Sequence, residues 1–396
     1  MKKLLMATAA TALAATGAMA DGHSPVKIGI ILGFTGPIES LTPSMADAAE
    51  MAMAEVTESG LLLDGIAVEG VRADSTCIDA AAATAAAERL ITSDGVVGIM
   101  GADCSGVTGA ILSNVALPNG VVMISPSATS PGLSTAEDNG LFFRTAPSDA
   151  RQGVVMAEVL LEQGIEEVAV TYTNNDYGKG LADSFQAAYE ERGGTVTINT
   201  AHEDGKADYS AEVGALASAG GDRLVVAGYV DQGGSGIVRA ALDSGAFDTF
   251  HFPDGMISAA LVENFGDEID GSSGQHPSPS EELAASWTAL VDGAFDATSP
   301  FTPEGYDSAA LIMLAMQAAG STDPAVYKDH VMHVANAPGE PIQAGELAKA
   351  LQILADGGDV DYVGATDVEL IGPGEAAGNY RVVGYEGGAE VTAGRK

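Results

Sequence analysis

Short runs rich in Val and Ile alternate with Ala-rich stretches of helical period along most of this chain. The first strand-like run is VKIGIILG at residues 26–33, and the helical SMADAAEMAMAEV follows at 44–56. The order of strand, loop and helix returns over residues 66–91 and 95–118. Alternation of this kind is typical of a parallel sheet whose strands are joined by crossover helices. The pattern therefore predicts an α/β fold.

A second series of alternating segments begins near residue 149. It predicts helices at 149–163, 180–192, 208–220 and 234–244 and strands at 166–173, 195–200, 222–229 and 250–255. Two doubly wound parallel-sheet lobes are the simplest interpretation, since 396 residues suffice for two domains with separate cores. Further helices, which could pack on either lobe, are predicted at 281–294, 306–319 and 343–355.

The amino terminus, MKKLLMATAATALAATGAMA, has the features of a secretory signal peptide. Two lysines precede a short apolar run, and an A-M-A sequence ends at Ala20. The apolar run is shorter than the roughly 20 residues that a membrane-spanning helix needs. We therefore expect residues 1–20 to be a cleaved signal peptide and the remainder to be an exported, soluble protein.

The charge balance excludes two classes of partner. Seventeen Lys and Arg residues stand against 55 Asp and Glu residues, which gives a formal net charge of −38. Such a chain repels nucleic acid and anionic membrane surfaces, so neither is an expected partner. The acidic excess is more typical of a solvated surface than of an acidic binding site.

Signals for catalysis, cofactors or metals are weak. The sequence has no G-x-x-x-x-G-K-[ST] loop, no G-x-G-x-x-G after the first strand, no H-E-x-x-H and no G-x-S-x-G. His330 and His333 could share one helix face, but no cysteine or carboxylate cluster accompanies them. We expect a protein without enzyme activity, cofactor or metal.

The two cysteines, Cys77 and Cys104, allow more than one interpretation. A pair of cysteines in an exported chain usually forms a disulfide. Cys104 could instead be the nucleophile of a secreted hydrolase, which would require a free thiol and a neighbouring base. The residues alone leave both possibilities open.

Polar residues follow the predicted strands at their carboxyl ends, where ligands bind in open parallel sheets. The candidates are Ser105 in GADCSG, the pair Ser127 and Thr129 in SPSATSP, and the residues Tyr177, Tyr229 and Asp254. Each has an ordinary structural alternative, as a helix cap, a turn residue or an aromatic at a domain edge. Together they offer hydroxyl donors for a carboxylate and an acceptor for an ammonium group. That combination suits a small zwitterion.

Segments across nearly the whole chain resemble one protein family. They are VKIGIILGFTGPI, DSTCIDAAAATAAAERLI, GADCSG, ISPSATSPGL, FFRTAPSDARQG, YTNNDYGKGLADSFQ, FPDG and YDSAALIMLAMQAA. The chain resembles the periplasmic substrate-binding proteins of ABC transporters for branched-chain amino acids, the leucine/isoleucine/valine-binding type. ISPSATSP followed by RTAPSDARQG is the most specific element of the resemblance.

The resemblance implies the type I periplasmic binding fold, in which a three-segment hinge joins two Rossmann-like lobes. The crossovers between lobes would lie near Ala146, Gly274 and Ala365. Lobe 1 would then comprise residues 21–146 and 275–365, and lobe 2 residues 147–274 and 366–396. The late helices would belong mostly to lobe 1. The resemblance also implies a disulfide between Cys77 and Cys104.

Binding roles in lobe 1 are implied residue by residue. Ser105 and Thr129 match positions that hold the ligand carboxylate in the family. The main chain around Ser127 and Ala128 matches a segment that takes the ligand ammonium. Leu41 stands where some amino-acid binders have an aromatic residue, so the preferred ligand side chain stays open.

The resemblance also implies binding roles for residues of lobe 2 and a function for the whole protein. Tyr177 and Tyr229 match aromatic residues of the second lobe, and Asp254 stands where relatives often have a glutamate facing the ammonium. The expected function is capture of a small branched-chain or other aliphatic amino acid by a periplasmic, monomeric protein that delivers it to ABC permease subunits. The alternatives are the same fold tuned to an amide, urea or an aromatic acid, a sensory ectodomain, and the cysteine hydrolase.

Overall fold

A computed structural model describes residues 24–396 of the chain. The predicted signal peptide, residues 1–20, lies outside the described residues. The strands are β1 Val26–Leu32, β2 Val68–Asp74, β3 Gly98–Gly101, β4 Val122–Ser125, β5 Phe142–Pro147, β6 Glu167–Thr173, β7 Thr195–His202, β8 Arg223–Ala227, β9 Phe250–Phe252, β10 Ser273–Pro277, β11 Glu340–Gln343, β12 Val360–Gly364, β13 Leu370–Ile371, β14 Glu375–Ala376, β15 Tyr380–Glu386 and β16 Ala389–Arg395.

The α-helices lie between these strands, mostly as crossovers. They are α1 Thr42–Ser59, α2 Ala80–Arg89, α3 Ser105–Ile111, α4 Leu117–Asn119, α5 Asp149–Glu162, α6 Asp176–Glu191, α7 Ser210–Ala219, α8 Gly233–Ser244, α9 Ala259–Phe265, α10 Glu281–Val291, α11 Thr302–Ala319, α12 Pro324–Tyr327, α13 Val331–Val334 and α14 Leu347–Ala355. Within residues 24–396, none of them is both long enough and apolar enough to cross a bilayer.

The first sheet has seven strands in the order β13-β14-β5-β4-β3-β1-β2. Strands β1 to β5 are parallel to their neighbours, as the alternating pattern predicts. The edge differs, because β13 and β14 form a short antiparallel hairpin whose second strand joins β5. Helix α11 is buried along nearly its whole length and packs against α1. The late helices therefore help to form the core of this lobe.

The second sheet also has seven strands, in the order β16-β15-β10-β9-β8-β6-β7. Its parallel part, β6 to β10, carries an antiparallel edge made by the carboxy-terminal hairpin of β15 and β16. The predicted fold of two doubly wound α/β lobes is thus confirmed. The mixed edges are the departure from an all-parallel arrangement.

Three crossovers join the lobes, but two come later than predicted. The first follows β5, close to the expected position at Ala146. The second follows Pro277, since residues 273–277 still pair in the second sheet. The third was expected at Ala365, yet residues 370–376 pair in the first sheet and the chain enters lobe 2 only at β15. Strands of two residues leave no periodic pattern, so the sequence could not reveal this extra edge.

Some elements differ in position from the sequence prediction. Helix α6 begins at Asp176 rather than near 180, because the Asn175 side chain caps it by accepting a hydrogen bond from Gly178 N (3.0 Å). Strand β5 was not predicted, since arginine, threonine and proline interrupt the apolar run FFRTAP. This strand matters for function, because it carries Arg144 beneath the predicted binding loop.

A disulfide joins Cys77 to Cys104, as the resemblance implied. Both cysteines are buried, and the bond connects the loop after β2 to the loop after β3, directly beside Ser105. The two residues are 27 positions apart in the sequence. The disulfide therefore fixes the position of one of the predicted ligand-binding residues.

Removing this bond is expected to lower the free energy of unfolding. Closing a loop of this length stabilises a protein by about 3 kcal/mol in the chain-entropy model. The double variant Cys77→Ser/Cys104→Ser should lose that amount in urea unfolding, and a reducing agent should lower the wild-type midpoint to that of the variant. An unchanged midpoint in both experiments would show that the bond contributes no stability.

Candidate functional site

A cavity of about 330 Å³ lies between the two lobes, at the carboxyl ends of their strands. Lobe 1 contributes Ser105, the first residue of α3, and lobe 2 contributes Tyr177 in the first turn of α6. Asp254, two residues after β9, also lines the cavity. Strand ends from both sheets therefore converge on one enclosed space.

Most of the predicted site residues meet at this cavity. Those that line it are Leu41, Ser105, Ser127, Tyr177, Tyr229 and Asp254. Ala128 and Thr129 are buried in the loop between Ser125 and Pro131 but do not line the cavity. Their predicted roles thus depend on this loop rather than on direct exposure to the cavity.

The loop from Ser125 to Pro131 is held by one hydrogen bond within the loop and by two to residues near the start of α3. Ser105 Oγ accepts a hydrogen bond from Ser130 N (3.0 Å). Ser125 Oγ accepts one from Ala128 N (2.9 Å), and Ser127 Oγ donates to the carbonyl of Asp103 (3.2 Å). These bonds connect the loop to the start of α3. They fix the position of the loop relative to Ser105.

Arg144, which the sequence reasoning missed, supports this loop from below. Its side chain is 1% exposed, and the guanidinium donates to the carbonyls of Ala128 (2.8 Å) and Ser130 (2.9 Å). It also forms an ion pair of 2.5 Å with Glu375 on β14. The signal in the sequence was the arginine within FFRTAP, the segment that forms the buried strand β5. Because its donors are engaged by the loop and by Glu375, Arg144 acts as a support.

The lobe 2 side of the cavity is an aromatic pair joined to a carboxylate. The rings of Tyr177 and Tyr229 stack with centroids 5.1 Å apart. The Tyr177 hydroxyl donates to Asp254 Oδ1 (2.6 Å), which also accepts from Gly255 N (2.8 Å). A Cβ atom at Gly255 would lie 2.8 Å from the Tyr177 hydroxyl, so only glycine fits there without moving that ring.

Asp254 and a second carboxylate, Asp149, occupy the same buried region. Burial raises the pKa of Asp254 to about 6, although the Tyr177 hydroxyl and the Gly255 N–H lower it. Burial raises the pKa of Asp149 well above its ordinary value, and the negative charge of Asp254 raises it further. Each carboxylate therefore disfavours ionisation of the other. Of the two, only Asp254 lines the cavity, so a ligand cation in the cavity would meet that carboxylate.

Several buried polar atoms near these carboxylates have no hydrogen-bond partner among residues 24–396. They are Thr129 Oγ1, both carboxylate oxygens of Asp149 and both amide atoms of Gln152. None of the three residues lines the cavity, and they act on one another and on Asp254: Thr129 lowers the pKa of Asp149, and Gln152 lowers that of Asp254. The sequence reasoning missed Asp149 and Gln152, because both read as ordinary residues of the first turn of α5.

The cavity also has an apolar part. Ile38, Leu41, Met45 and Phe301 line it. Only Leu41 was predicted from the sequence. Among the residues that the structure describes, no lysine or arginine lines this cavity. The site therefore combines apolar side chains with hydroxyls and two acidic residues, Asp103 and Asp254, without a basic side chain.

Comparison with known proteins identifies the family. The sequence profile named periplasmic binding protein matches residues 25–335. The chain belongs to this family. The chain is also 30% identical to Leu/Ile/Val-binding protein homolog 3 of Brucella melitensis, over 84% of this chain and 89% of that protein. The predicted family resemblance is thus confirmed.

Solved structures share the fold of this periplasmic binding protein. A branched-chain amino acid transporter substrate-binding protein from Streptococcus pneumoniae, in complex with isoleucine, has a TM-score of 0.76 at 22% identity and covers 94% of this chain and 99% of its own. A solute-binding protein from R. palustris in complex with benzoate has a TM-score of 0.75 at 17% identity and covers 94% and 96%. At these identities the likeness concerns the fold alone.

Direct contacts hold the two lobes of this periplasmic binding protein together at the mouth of the cavity. Ser40 N donates to Asp231 Oδ2 (2.8 Å), and Asp231 N donates to the carbonyl of Pro37 (3.0 Å). Pro37 and Ser40 follow β1 in lobe 1, whereas Asp231 follows β8 in lobe 2. The protein is therefore in a closed arrangement, which accounts for the small size of the cavity.

Two alternatives from the sequence can be compared with the geometry. Both cysteines of the chain are engaged in the disulfide, so Cys104 lacks the free thiol that a cysteine hydrolase would require. The rings of His330 and His333 have centroids 6.5 Å apart. Over residues 24–396, no group of three His, Cys, Asp or Glu side chains is placed to hold a metal ion.

Proposed function

We propose that this protein captures a small aliphatic amino acid between its lobes and delivers it to the permease of an ABC importer. The observation that supports this best is the position of Asp254, a buried carboxylate that lines a cavity together with apolar side chains. An ammonium group would compensate the cost of burying that carboxylate. An aliphatic side chain would pack against the apolar lining.

The ligand carboxylate is assigned to the hydroxyl end of lobe 1. Ser105 lines the cavity, and its hydroxyl lies at the start of α3. Thr129 lies between Ser105 and Asp149, because Ser130 N contacts Ser105 Oγ and Asp149 N contacts the carbonyl of Thr129 (2.8 Å). Its hydroxyl can donate and accept, but it does not line the cavity, so it would contact an amino acid only if the loop from Ser125 to Pro131 moves toward the ligand.

The ligand ammonium is assigned to Asp254, the main chain at Ser127 and Ala128, and the Thr129 hydroxyl. An ammonium group has three donors, so it can use several of these acceptors at once. Asp149 lies near enough to interact with Asp254, but burial raises its pKa well above the ordinary value and favours its neutral form. Tyr177 and Tyr229 would close over the ligand from lobe 2, as their stacked and buried rings suggest.

A ligand panel tests this proposal. Isothermal titration calorimetry should give tighter binding for leucine, isoleucine or valine than for benzoate, urea or a simple amide. Benzoate would bring its carboxylate into a cavity with Asp254 and would leave that residue unpaired. We expect a difference of at least about 100-fold, in line with a charge-assisted contact of roughly 3 kcal/mol. Tighter binding of benzoate or an amide would overturn the proposed ligand class.

Amino-acid affinity is expected to fall as the pH is lowered through about 6. Asp254 has a pKa raised to about 6 by burial, and it must be ionised to pair with the ammonium. Below that value the affinity should decrease by up to tenfold per pH unit, so binding at pH 5 should be about tenfold weaker than at pH 7.5. Calorimetry across this range measures the effect.

The ligand-free protein should respond to pH in the opposite direction. A carboxyl whose pKa is raised by folding favours the folded state at low pH, and that contribution is lost as the pH rises through the raised value. The same holds for Glu304, whose pKa burial raises to about 8. These groups should therefore make the ligand-free protein more stable at pH 5 than at pH 8.

The affinity prediction has its own contradicting result. Amino-acid affinity that is constant between pH 7.5 and 5 would show that Asp254 does not bind the ammonium.

We also propose a periplasmic location and a monomeric state. Family membership and the signal-like amino terminus support export.

Delivery to the permease is tested by transport. Uptake of labelled leucine by vesicles that contain the cognate permease should depend on added binding protein. A protein that binds leucine but never stimulates uptake would instead have a sensory role.

A further inference from the structure

A second cavity, of about 710 Å³, lies where lobe 2 meets lobe 1 near the hinge. Arg381 on β15 and Arg395 on β16 line it from the carboxy-terminal hairpin of lobe 2. Trp287 and Thr288 on α10 and the segment 297–303 line it from lobe 1. His276 and Ser278, at the second crossover, complete the walls. Both lobes therefore contribute to one space beside the hinge.

The charge of this cavity is the reverse of that of the chain. Asp and Glu outnumber Lys and Arg by 55 to 17, yet the lining of the cavity includes two arginines and no acidic residue among those described. Its other polar groups are hydroxyls, the imidazole of His276 and main-chain atoms. In a protein with this excess of acidic residues, a cavity lined at random would be expected to contain carboxylates.

Arg395 is incompletely compensated. Its guanidinium donates to Ser278 Oγ (3.3 Å) and to the carbonyl of Pro279. It forms no ion pair with any carboxylate of residues 24–396, although Glu281 attracts it from beyond ion-pair distance. Partial burial and the positive charge of Arg381 lower the pKa of Arg395. The two arginines thus repel each other across a space where an anion would be stabilised.

Arg381 has one carboxylate partner. It pairs with Glu390, which does not line the cavity, and its Nε donates to Thr392 Oγ1 (3.1 Å). These contacts fix the direction of the guanidinium. Arg381 is therefore held in position beside the cavity, whereas Arg395 supplies the less compensated charge.

His276 forms part of the buried wall of the cavity. It is 5% exposed, and both of its ring nitrogens are shielded from the open space. Burial lowers the pKa of His276 to about 3, and the charges of Arg381 and Arg395 lower it further. The ring is therefore neutral, and the positive charge beside the cavity comes from the two arginines.

We propose that this cavity binds a small oxyanion, such as sulfate, phosphate or a polycarboxylate. Guanidinium groups recognise the oxygens of such anions through charge-assisted hydrogen bonds, and the hydroxyls of Ser278 and Thr288 add neutral donors. The site is separate in its chemistry from the proposed amino-acid site, where Asp254 would repel an anion. A bound oxyanion would bridge the two lobes next to the hinge.

Calorimetric titration of the ligand-free protein with sodium sulfate, sodium phosphate and sodium citrate tests the proposal, with sodium chloride at equal ionic strength as the reference. We expect saturable binding of at least one oxyanion and none of chloride. Arg395→Gln should weaken that binding by about tenfold or more, because it removes a charged hydrogen-bond donor. The matched control Arg89→Gln, which removes an exposed arginine of lobe 1, should bind as the wild type does.

A second variant keeps the test decisive if Arg395→Gln folds poorly. Thr288→Glu places a carboxylate on an exposed position of α10 at the cavity and should abolish oxyanion binding. Asp254→Asn should retain it, which distinguishes this cavity from the amino-acid site. The proposal is overturned if no oxyanion binds beyond the chloride reference, or if both cavity variants bind like the wild type.

Discussion

Replacing Asp254 with asparagine is expected to abolish amino-acid binding while leaving the ligand-free protein at least as stable as the wild type. The carboxylate is buried and interacts with Tyr177 and Gly255, but no cation lies beside it among the cavity residues. Asparagine keeps the shape and removes the charge that the ammonium requires. The affinity for leucine should therefore fall by 100-fold or more, which corresponds to roughly 3 kcal/mol.

The effect on stability should have the opposite sign to the effect on binding. Burial raises the pKa of Asp254 to about 6, so ionisation at pH 7.5 costs folding free energy that asparagine does not. Thermal unfolding without ligand should show an unchanged or higher midpoint. Asp243→Asn, an exposed aspartate on α8 of the same lobe, is the matched control and should leave affinity unchanged. Leucine binding by Asp254→Asn within a few-fold of the wild type would remove Asp254 from the site.

Replacing Arg144 with methionine is expected to destabilise the protein by about 3–5 kcal/mol. Breaking a buried ion pair leaves an uncompensated charge, here that of Glu375, whose side chain is 12% exposed. The carbonyls of Ala128 and Ser130 would also lose their donors. Urea unfolding should show the loss, and the remaining folded protein should bind leucine more weakly, because the loop from Ser125 to Pro131 is no longer held.

Two companion variants show whether the buried ion pair is the cause. Arg89→Met breaks an exposed ion pair with Asp94 and should cost less than about 1 kcal/mol. The double variant Arg144→Met/Glu375→Leu removes both charges and should be more stable than Arg144→Met alone. If the double variant is no more stable than the single one, the cost arises from the lost loop contacts rather than from the unpaired carboxylate.

The regular part of the fold was predictable because it depends on patterns that repeat. Strands such as Val26–Leu32 and Glu167–Thr173 are short runs rich in Val or Ile between helical stretches, and they appear close to the predicted positions. Strand β5 and the hairpin of β13 and β14 were not predictable. Strand β5 is buried and pairs with β4, but its sequence FFRTAP has no periodic apolar pattern, and β13 and β14 have only two residues each.

The site was predictable to the extent that it depends on strand ends. Ser105, Tyr177 and Asp254 each follow a strand, and parallel topology brings such positions together. Phe301 and Asp149 gave no such signal. Phe301 reaches the cavity from the start of α11, which lies far along the chain, and Asp149 occupies the first turn of α5, where an aspartate is commonly a helix-terminal residue.

The central assignment is that the carboxylate of Asp254 binds the ammonium of the ligand. Calorimetry with leucine and with 4-methylpentanoate, which lacks only the amino group, measures this directly in the wild type and in Asp254→Asn. We predict that the wild type prefers leucine by 100-fold or more and that the variant nearly loses this preference. Equal affinities of the wild type for the two compounds, or an undiminished preference in the variant, would contradict the assignment.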